Sequence, residues 1–385
     1  MSAKTSICLI AHNAYGAIAG GSSGFIGGVE RQTSLMAKWL AQRGHQVSLL
    51  TWDEGQDDDL VIDGVRVIKI CRARAGLPGL RFFHPRWTGL VAAMRQADAE
   101  VYYQNCGEEV TGQAALWCRR HDRRFIYSVA FDPDCDVRLP AMPNRRERIL
   151  YRYGLTHADR VIVQTRKQQA MLREGFGLDS QILPMPCPGP QDEEYVKRTL
   201  PPAGRQRVLW AGRIVEQKRP DRLLDLAEAC PDLAFDVVGP WYDRATNPYS
   251  YAIQERARGL ANVTVHGAIP RQQMSEFYRT ASCLLCTSDA EGFPNTFLEA
   301  WSFGLPLVST FDPDNLIASR GFGRIERDTE GLGRAIRALF GSPQAWQRAS
   351  VDARDYYREN HAVDVAMSRF EAVFLEQVRH LTETR

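Results

Sequence analysis

The sequence has no long apolar run, and none of its apolar stretches approaches the ~20 residues that a membrane-spanning helix needs. Near the N-terminus the longest such stretch is residues 7–11, too short for the core of a signal peptide. We therefore expect a cytoplasmic protein. An excess of basic residues is also lacking, because 48 Lys and Arg accompany 46 Asp and Glu, for a formal charge of +2. Dedicated nucleic-acid-binding domains are strongly basic, so we expect no nucleic-acid partner.

The sequence also lacks a disulfide framework and a recognisable set of zinc ligands. Its nine cysteines are odd in number and widely scattered, as is typical of a reducing compartment. Cys283 and Cys286 form a C-x-x-C pair, but no second Cys or His pair completes a set of four ligands. We interpret the two thiols as buried residues of a strand, and we expect no metal site.

Short apolar runs alternate with amphipathic helices along the chain. The first such unit is a strand at residues 6–11, a Gly-rich loop at 12–28 and a helix from Val29 to about Arg43. This alternation predicts an α/β protein with doubly wound, mostly parallel sheets.

A proline-rich segment at residues 183–202 interrupts the pattern, and a second alternating series begins at Arg207. We therefore predict two doubly wound domains, residues 1–187 and 188–364, facing each other across a cleft. A last helix within 365–385 could pack back on the first domain. Ligands of open α/β sheets bind beyond the carboxyl ends of the strands, so the loops at those ends are the candidate sites.

The first candidate site follows the predicted strand 283–287. Pro294 and Asn295 have the character of a helix start, where free backbone N–H groups could hold a phosphate. Glu291 lies in the loop before this helix and Glu299 about one turn inside it. The two carboxylates could accept hydrogen bonds from sugar hydroxyls at the two ends of a nucleoside diphosphate sugar. The alternative for Glu299 is a solvated helix position.

The second candidate site is the loop that begins at Gly212, after the strand 207–211. Arg213 and Lys218 of this loop could neutralise a diphosphate, because arginine offers a planar fork and lysine a point charge. The alternative is that both are ordinary surface charges, as most arginines and lysines are.

The third candidate site is the Gly-rich loop that leads through Gly27 and Gly28 to Glu30. Glycines before a helix permit close approach of the backbone to a phosphate or a sugar. Residues 20–24 match G-x-S-x-G, the nucleophile elbow of hydrolases. We reject that function because the elbow requires a strand directly before the serine and a helix directly after it.

Three of these segments together resemble a known family. Residues 291–300 resemble the E-x7-E signature of the retaining GT-B glycosyltransferases known as group 1. Residues 212–220 are similar to the diphosphate loop of that family, and residues 27–31 resemble its acceptor-side loop. His266, Gly267 and the helix after Pro270 also fit. The resemblance implies a GT-B fold with two Rossmann-like domains and a nucleotide sugar held mainly by the C-terminal one.

The resemblance also implies residue roles. Arg213 and Lys218 would bind the diphosphate, Glu291 the hydroxyls of the donor sugar and Glu299 the ribose. The remaining donor-side positions are Gly212, His266, Gly267, Gly292, Phe293, Pro294, Asn295 and Thr296. Enzymes of this kind generally need no metal or other cofactor, because basic residues and helix N-termini neutralise the leaving diphosphate.

One feature of the family is missing. Many relatives have a histidine where this sequence has Ala130. A second strand end often contains a histidine in the family, but here residues 103–105 are Tyr, Gln and Asn. We expect Asp132, as a catalytic residue, or else Asp134 to supply polar contacts there. The alternative is that Asp132 to Asp134 form a simple Asx-type turn.

The sequence thus predicts a retaining transfer of a sugar to a hydroxyl in glycan or polysaccharide biosynthesis. The acceptor, whether a glycan, a lipid-linked sugar or a small molecule, stays open, as do the base and sugar of the donor. A nucleotide-sugar 2-epimerase and a non-catalytic nucleotide-sugar-binding subunit are the alternatives.

The predicted helix after Asn144 adds the hypothesis of peripheral contact with the inner face of a membrane. It combines arginines with apolar and aromatic residues: Arg145, Arg146, Arg148, Ile149, Leu150, Tyr151, Arg152 and Tyr153. Such a face can lie on anionic lipid, although a solvated charged face is the alternative.

Overall fold

The computed structural model describes residues 4–20 and 27–376. Within them the chain forms two compact units. The first contains the described residues up to Pro186 together with those from Ala366 onward, and the second is Cys187–Val365. Each unit has its own sheet and its own apolar core.

The first unit contains a sheet in the order β3-β4-β2-β1-β5-β6-β7-β8, parallel except for the pair β3 and β4. Its strands are β1 (Ser6–Ile10), β2 (Gln46–Thr51), β3 (Val61–Ile62), β4 (Val65–Lys69), β5 (Val101–Asn105), β6 (Arg124–Ser128), β7 (Arg160–Val163) and β8 (Gln181–Ile182). Its first helices are α1 (Tyr15–Ile18), α2 (Gly28–Gln42), α3 (Thr88–Ala97), α4 (Glu109–Arg120), α5 (Arg145–Thr156) and α6 (Arg166–Phe176). The strand order reverses between β1 and β5, which makes their carboxyl ends a preferred ligand position.

The second unit contains a parallel sheet in the order β11-β10-β9-β12-β13-β14. Its strands are β9 (Arg207–Ala211), β10 (Ala234–Val238), β11 (Val263–Gly267), β12 (Cys283–Cys286), β13 (Leu307–Ser309) and β14 (Gly323–Ile325). The helices from here to the end of the described chain are α7 (Pro220–Ala229), α8 (Pro248–Arg258), α9 (Arg271–Thr280), α10 (Asn295–Ser302), α11 (Leu316–Arg320), α12 (Thr329–Phe340), α13 (Pro343–Asn360) and α14 (Val363–Leu375). Two parallel-sheet α/β units confirm the predicted fold class.

Most of α14 belongs to the first unit. The ring of Tyr103 on β5 lies 5.5 Å from that of Phe374, measured between centroids. Nε2 of His45 lies 2.9 Å from Oε1 of Glu371, and Arg124 donates a 2.8 Å hydrogen bond to the carbonyl of Phe374. Residues 377–385 of the predicted last helix lie outside the described residues.

Candidate active site

The loops after β9 and β12 meet because these strands are neighbours at the centre of the second sheet, with Leu209 opposite Leu284. Parallel strands end at the same edge, so the diphosphate-loop candidate and the Glu291 loop are brought side by side. The backbone N–H of Asp289 donates to the carbonyl of Gln217 at 3.1 Å. The Gln217 amide donates in turn to the carbonyl of Ala290 at 2.8 Å.

The ammonium group of Lys218 donates a hydrogen bond to Oε1 of Glu291. Glu291 is only 8% exposed, and the Lys218 side chain is mostly buried. A buried carboxylate is costly unless it is paired with a cation, and Lys218 provides that pairing here. The structure therefore brings together two of the residues that the sequence predicts as site residues, one from each loop. Arg213 stands exposed at the start of the same loop as Lys218.

Thr287 fixes the backbone at Lys218, and sequence reasoning missed it. Its hydroxyl accepts a 2.9 Å hydrogen bond from the indole of Trp210 and donates a 2.8 Å bond to the carbonyl of Lys218. Because Thr287 is fully buried, this link holds the diphosphate loop against the end of β12. The only signal in the sequence is a hydroxyl residue that closes an apolar strand.

A group of charged residues ties the two loops together on their outer side. Arg219, with a φ of 50°, hydrogen-bonds Asp221 and reaches Asp289 at 3.2 Å. Arg222 donates to Asp289 at 3.1 Å and to the carbonyl of Thr287 at 2.9 Å. The carboxylates of Asp221 and Asp289 raise the pKa of the Arg219 guanidinium, mainly through these hydrogen bonds.

Helix α10 begins at Asn295 directly after the Glu291 loop, and Pro294 is its N-cap residue. One turn further on, Oε2 of Glu299 accepts a 2.6 Å hydrogen bond from the buried hydroxyl of Tyr278. Glu299 is half-buried, so it is not the freely solvated residue of the alternative interpretation.

The other predicted donor-side residues around α10 differ in their surroundings. The ring of Phe293 packs against Trp301 at 6.0 Å and His361 at 5.5 Å between centroids. This ring therefore helps to attach the loop to the core. Gly292 and Pro294 are buried, whereas Asn295 and Thr296 are half-buried in the first turn of the helix.

Glycines end three adjacent strands of the second sheet, and sequence reasoning missed the middle one, Gly239. The N–H of Gly239 donates to the carbonyl of Gly267 at 2.9 Å. A Cβ atom at Gly239 would lie 1.8 Å from the carbonyl oxygen of Gly212. Only glycine therefore permits the backbones to approach this closely, and Gly239 sets the position at which the diphosphate loop begins.

His266 is engaged away from the loops. It lies at an irregularity in the pairing of β10 with β11, and its Nε2 is 2.6 Å from Oδ1 of Asp236, in the middle of β10. Arg207 pairs with the same carboxylate. Burial alone would raise the pKa of Asp236, but the hydrogen bonds from Arg207 and His266 hold it below its usual value. The imidazole thus belongs to a charged cluster on the sheet, alongside Arg207 and Asp236.

In the first unit, Asp132 and Asp134 lie in a short 3-10 turn, Asp132–Cys135, which agrees with the turn interpretation. Asp132 is 7% exposed and accepts hydrogen bonds from Lys167 at 2.7 Å and Gln168 at 3.0 Å. Both contacts attach the turn to α6. Neither partner was identified from the sequence, because each lies about 35 residues away along the chain.

Asp134 faces the loop after β5, where the N–H of Gly107 donates to Oδ2 at 3.2 Å. Burial raises the pKa of Asp134 to about 7; the Gly107 hydrogen bond opposes this shift. An unfolded aspartate titrates near pH ~4, so the folded state binds more protons between about pH 4 and 7. Asp134 therefore contributes stability at low pH that is lost as the pH rises toward 7.

We expect Asp134→Asn to reduce this pH dependence. The amide stays neutral, so the variant should gain stability relative to the parent as the pH rises from 5 to 8, by at most ~1.4 kcal/mol per pH unit for one proton. Urea unfolding of the parent and the variant at several pH values measures this difference in stability. Asp136→Asn is the control, because hydrogen bonds from Arg138 lower the pKa of Asp136 to about 2, outside this window. If the free energy of unfolding changes with pH equally in the parent and in Asp134→Asn, the expectation is contradicted.

The acceptor-side loop is described only in part. Gly27 has extended backbone geometry and precedes α2, Gly28 is the first residue of the helix, and Glu30 lies in its first turn. Ser22 and Gly24 of the rejected elbow lie outside the described residues. The roles of Gly27, Gly28 and Glu30 stay predictions.

The first unit also has a cavity of about 100 Å³ that is open to solvent and that the sequence did not indicate. Its lining includes His12, Trp52, Arg86, Leu90, Glu108, Glu109, Val110 and Gln113. His12 follows β1 and stacks on Trp52, with 4.1 Å between ring centroids, and its Nδ1 lies 3.5 Å from Oε2 of Glu108. An imidazole therefore does stand at a strand end of this unit, but it follows β1 rather than β5 or β6.

The strand ends predicted to lack histidine carry a buried neutral pair. Asn105 on β5 and Ser128 on β6 are opposite each other in the parallel register, so their side chains share one face. Within residues 4–20 and 27–376, the amide of Asn105 and the hydroxyl of Ser128 have no hydrogen-bond partner. Unsatisfied buried polar groups of this kind are rare in folded proteins.

The described residues also bear on metal binding and on membrane spans. Across the described residues, no group of three or more His, Cys, Asp or Glu side chains is arranged to hold a metal ion. Cys283 and Cys286 are buried in β12, and burial raises the pKa of both thiols. In the same part of the chain, no helix is both long and apolar enough to cross a membrane.

Comparison with known proteins identifies the class. Residues 27–188 match a glycosyl transferase 4-like domain, and residues 191–315 match the glycosyl transferases group 1 family. Sucrose-phosphate synthase from Thermosynechococcus elongatus superposes with a TM-score of 0.74 at 17% identity, covering 96% of this chain and 98% of the other. HepE from Anabaena, solved with UDP and glucose, superposes with a TM-score of 0.73 at 15% identity, covering 97% of this chain and 100% of the other. The fold is that of a GT-B glycosyltransferase.

The relatives found by sequence agree with this class. Mannosylfructose-phosphate synthase of Agrobacterium fabrum is 29% identical over 368 residues, which cover 82% of this chain and 79% of that protein. The amylovoran biosynthesis glycosyltransferase AmsD of Erwinia amylovora is 25% identical over 224 residues, 53% of this chain and 61% of that protein. The chain belongs to the group 1 glycosyltransferase family, which confirms the predicted family.

Proposed function

We propose that this protein is a retaining glycosyltransferase that moves a sugar from a nucleoside diphosphate sugar to a hydroxyl acceptor in glycan or polysaccharide biosynthesis. The observation that carries the proposal is the contact between Lys218 and Glu291, made just before the N-terminus of α10. Positive charge and a helix N-terminus suit a diphosphate, and a buried carboxylate suits sugar hydroxyls.

In this mechanism Arg213, Lys218 and the N-terminus of α10 stabilise the negative charge that develops on the leaving diphosphate. The acceptor hydroxyl attacks on the face that the diphosphate leaves, and a diphosphate oxygen takes its proton. Glu291 orients the donor sugar, and Glu299, held by Tyr278, receives the ribose hydroxyls. The protein supplies the positive charge itself, so the proposal includes no metal ion.

Titration calorimetry with UDP, GDP and ADP tests the donor site. UDP comes first because HepE, a structural neighbour, was solved with UDP-glucose. We expect Glu299→Ala to weaken nucleotide binding about 10- to 100-fold, because charge-assisted hydrogen bonds to the nucleotide are lost. Glu330→Ala, at an exposed glutamate paired with Arg334 on α12, is the control and should bind like the parent.

The outcomes separate the alternatives. No binding of any of the three nucleotides would overturn the donor site. Nucleotide binding without transfer to any acceptor would favour the non-catalytic subunit, and acceptor-independent conversion of the sugar would favour the epimerase. The anomeric configuration of a transferred sugar, measured by NMR, decides between retention and inversion.

A further inference from the structure

The segment 71–87 of the first unit exposes apolar and basic side chains together. Leu77, Leu80 and Phe83 are 70%, 60% and 58% exposed, which is unusual for large apolar residues. Arg72 and Arg74 are exposed beside them, and Arg81 is half-buried.

The sequence of this segment is basic, although Arg66 and Lys69 just before it pair with Asp59 and Asp58. Residues 64–97 contain seven Lys and Arg and no Asp or Glu, although acidic and basic residues are nearly equal in the whole sequence. Arg72 is only 3.7 Å from Asp53, and its side chain is 78% exposed, so this contact leaves it largely in solvent. No ion pair of Arg74 or Arg81 is found among the described residues.

The surface continues onto the first turns of α5. The guanidinium of Arg146 lies 3.7 Å from the ring centroid of Phe82, and this contact joins the helix to the segment. Arg145 and Ile149 are one turn apart on α5, and Ile149 is 67% exposed. We call this set, Arg72, Arg74, Leu77, Leu80, Arg81, Phe83, Arg145 and Ile149, the basic–apolar surface.

The rest of the basic helix proposed from the sequence is already engaged. Arg146 pairs with Glu109 at 3.0 Å, and Arg148 and Arg152 donate to the carbonyls of Met142 and Val137. Tyr151 is fully buried in the core. Most side chains of α5 are therefore engaged within the protein, and the exposed basic and apolar side chains lie mainly in the segment 71–87 before α3.

We propose that the basic–apolar surface docks this unit on an anionic lipid bilayer. Leucine and phenylalanine side chains would enter the boundary between headgroups and acyl chains, while the arginines contact lipid phosphates. Arg86 of the same segment lines the cavity beside Trp52. If the proposed transferase function holds, this neighbourhood favours a lipid-linked acceptor over a small soluble one.

Co-sedimentation of the full chain with phosphatidylglycerol and phosphatidylcholine vesicles tests the docking without any activity assay. We expect binding to phosphatidylglycerol vesicles that falls with added salt, and little binding to phosphatidylcholine alone. The triple variant Leu77→Ser, Leu80→Ser, Phe83→Ser should bind at least about tenfold more weakly, because burial of apolar area drives insertion. The double variant Arg72→Gln, Arg74→Gln should bind phosphatidylglycerol vesicles about fivefold more weakly for each arginine removed.

Matched controls separate this surface from general effects. Val61→Ser with Val196→Ser removes two equally exposed apolar residues elsewhere, and Arg205→Gln with Arg320→Gln removes two exposed arginines of the second unit. Circular dichroism melting checks that each variant is folded. Failure of the parent to bind phosphatidylglycerol vesicles at low salt would overturn the proposal, as would control variants that weaken binding as much as the loop variants. The donor-site calorimetry is independent of this result, so the two proposals can fail separately.

Discussion

Replacing Lys218 with alanine should lower kcat roughly 100- to 1000-fold, the cost of removing one preorganised donor from a developing anion. Lys218 is the mostly buried cation whose ammonium group contacts the proposed sugar-binding carboxylate, Glu291. The substitution also leaves the Glu291 carboxylate buried without its cationic partner, which is unfavourable. Steady-state transfer kinetics with the donor identified by calorimetry measure the loss.

Two further variants make this expectation specific. Lys218→Arg retains the charge and should recover part of the rate, although the planar fork does not match a point charge. Lys197→Ala removes an exposed lysine of the same unit and should leave the rate unchanged. If Lys218→Ala melts at the parent's temperature and transfers sugar at the parent's rate, the assignment of this site is wrong.

Gly239→Ala is expected to abolish nucleotide binding. A methyl group there would meet the carbonyl oxygen of Gly212 at 1.8 Å, so either β10 or the start of the diphosphate loop must move. Overpacking of this kind costs about 1–3 kcal/mol and sometimes more, because a backbone atom cannot turn aside as a side chain can. Calorimetry with the preferred nucleotide and urea unfolding measure the two effects.

Gly175→Ala is the matched control. Gly175 lies inside α6, and a Cβ there would contact the Val137 side chain at an ordinary 3.4 Å. Alanine favours a helix by about 0.5–1 kcal/mol over glycine, so this variant should be slightly more stable and bind nucleotide normally. Normal binding by Gly239→Ala would show that the loop does not depend on its close approach to β10.

The sequence predicted the meeting of Lys218 with Glu291 for a physical reason. Both residues follow strands that the alternating pattern identifies, and parallel strands end at one edge of their sheet. Thr287 was missed because its role depends on two individual hydrogen bonds, and Gly239 because its role depends on a single close approach. Such contacts leave no periodic signal in the sequence.

The side chains predicted less well are those with distant partners. His266 lies near the end of its strand as expected, but its ring hydrogen-bonds Asp236, 30 residues earlier, at an irregularity in the strand pairing. Asp132 is likewise held by a helix that follows it by about 35 residues. Spacing along the chain places a residue at a strand end, but register and packing decide where its side chain points.

The return of α14 to the first unit has a consequence for biosynthesis. Pro186 and Ala366 bound the intervening unit, so about 180 residues are translated between the two parts of the first one. At 5–20 residues per second this takes roughly 10–40 s. During that time Tyr103 lacks Phe374, and His45 lacks Glu371. The core of the first unit therefore stays incomplete until the chain beyond the second unit has been made.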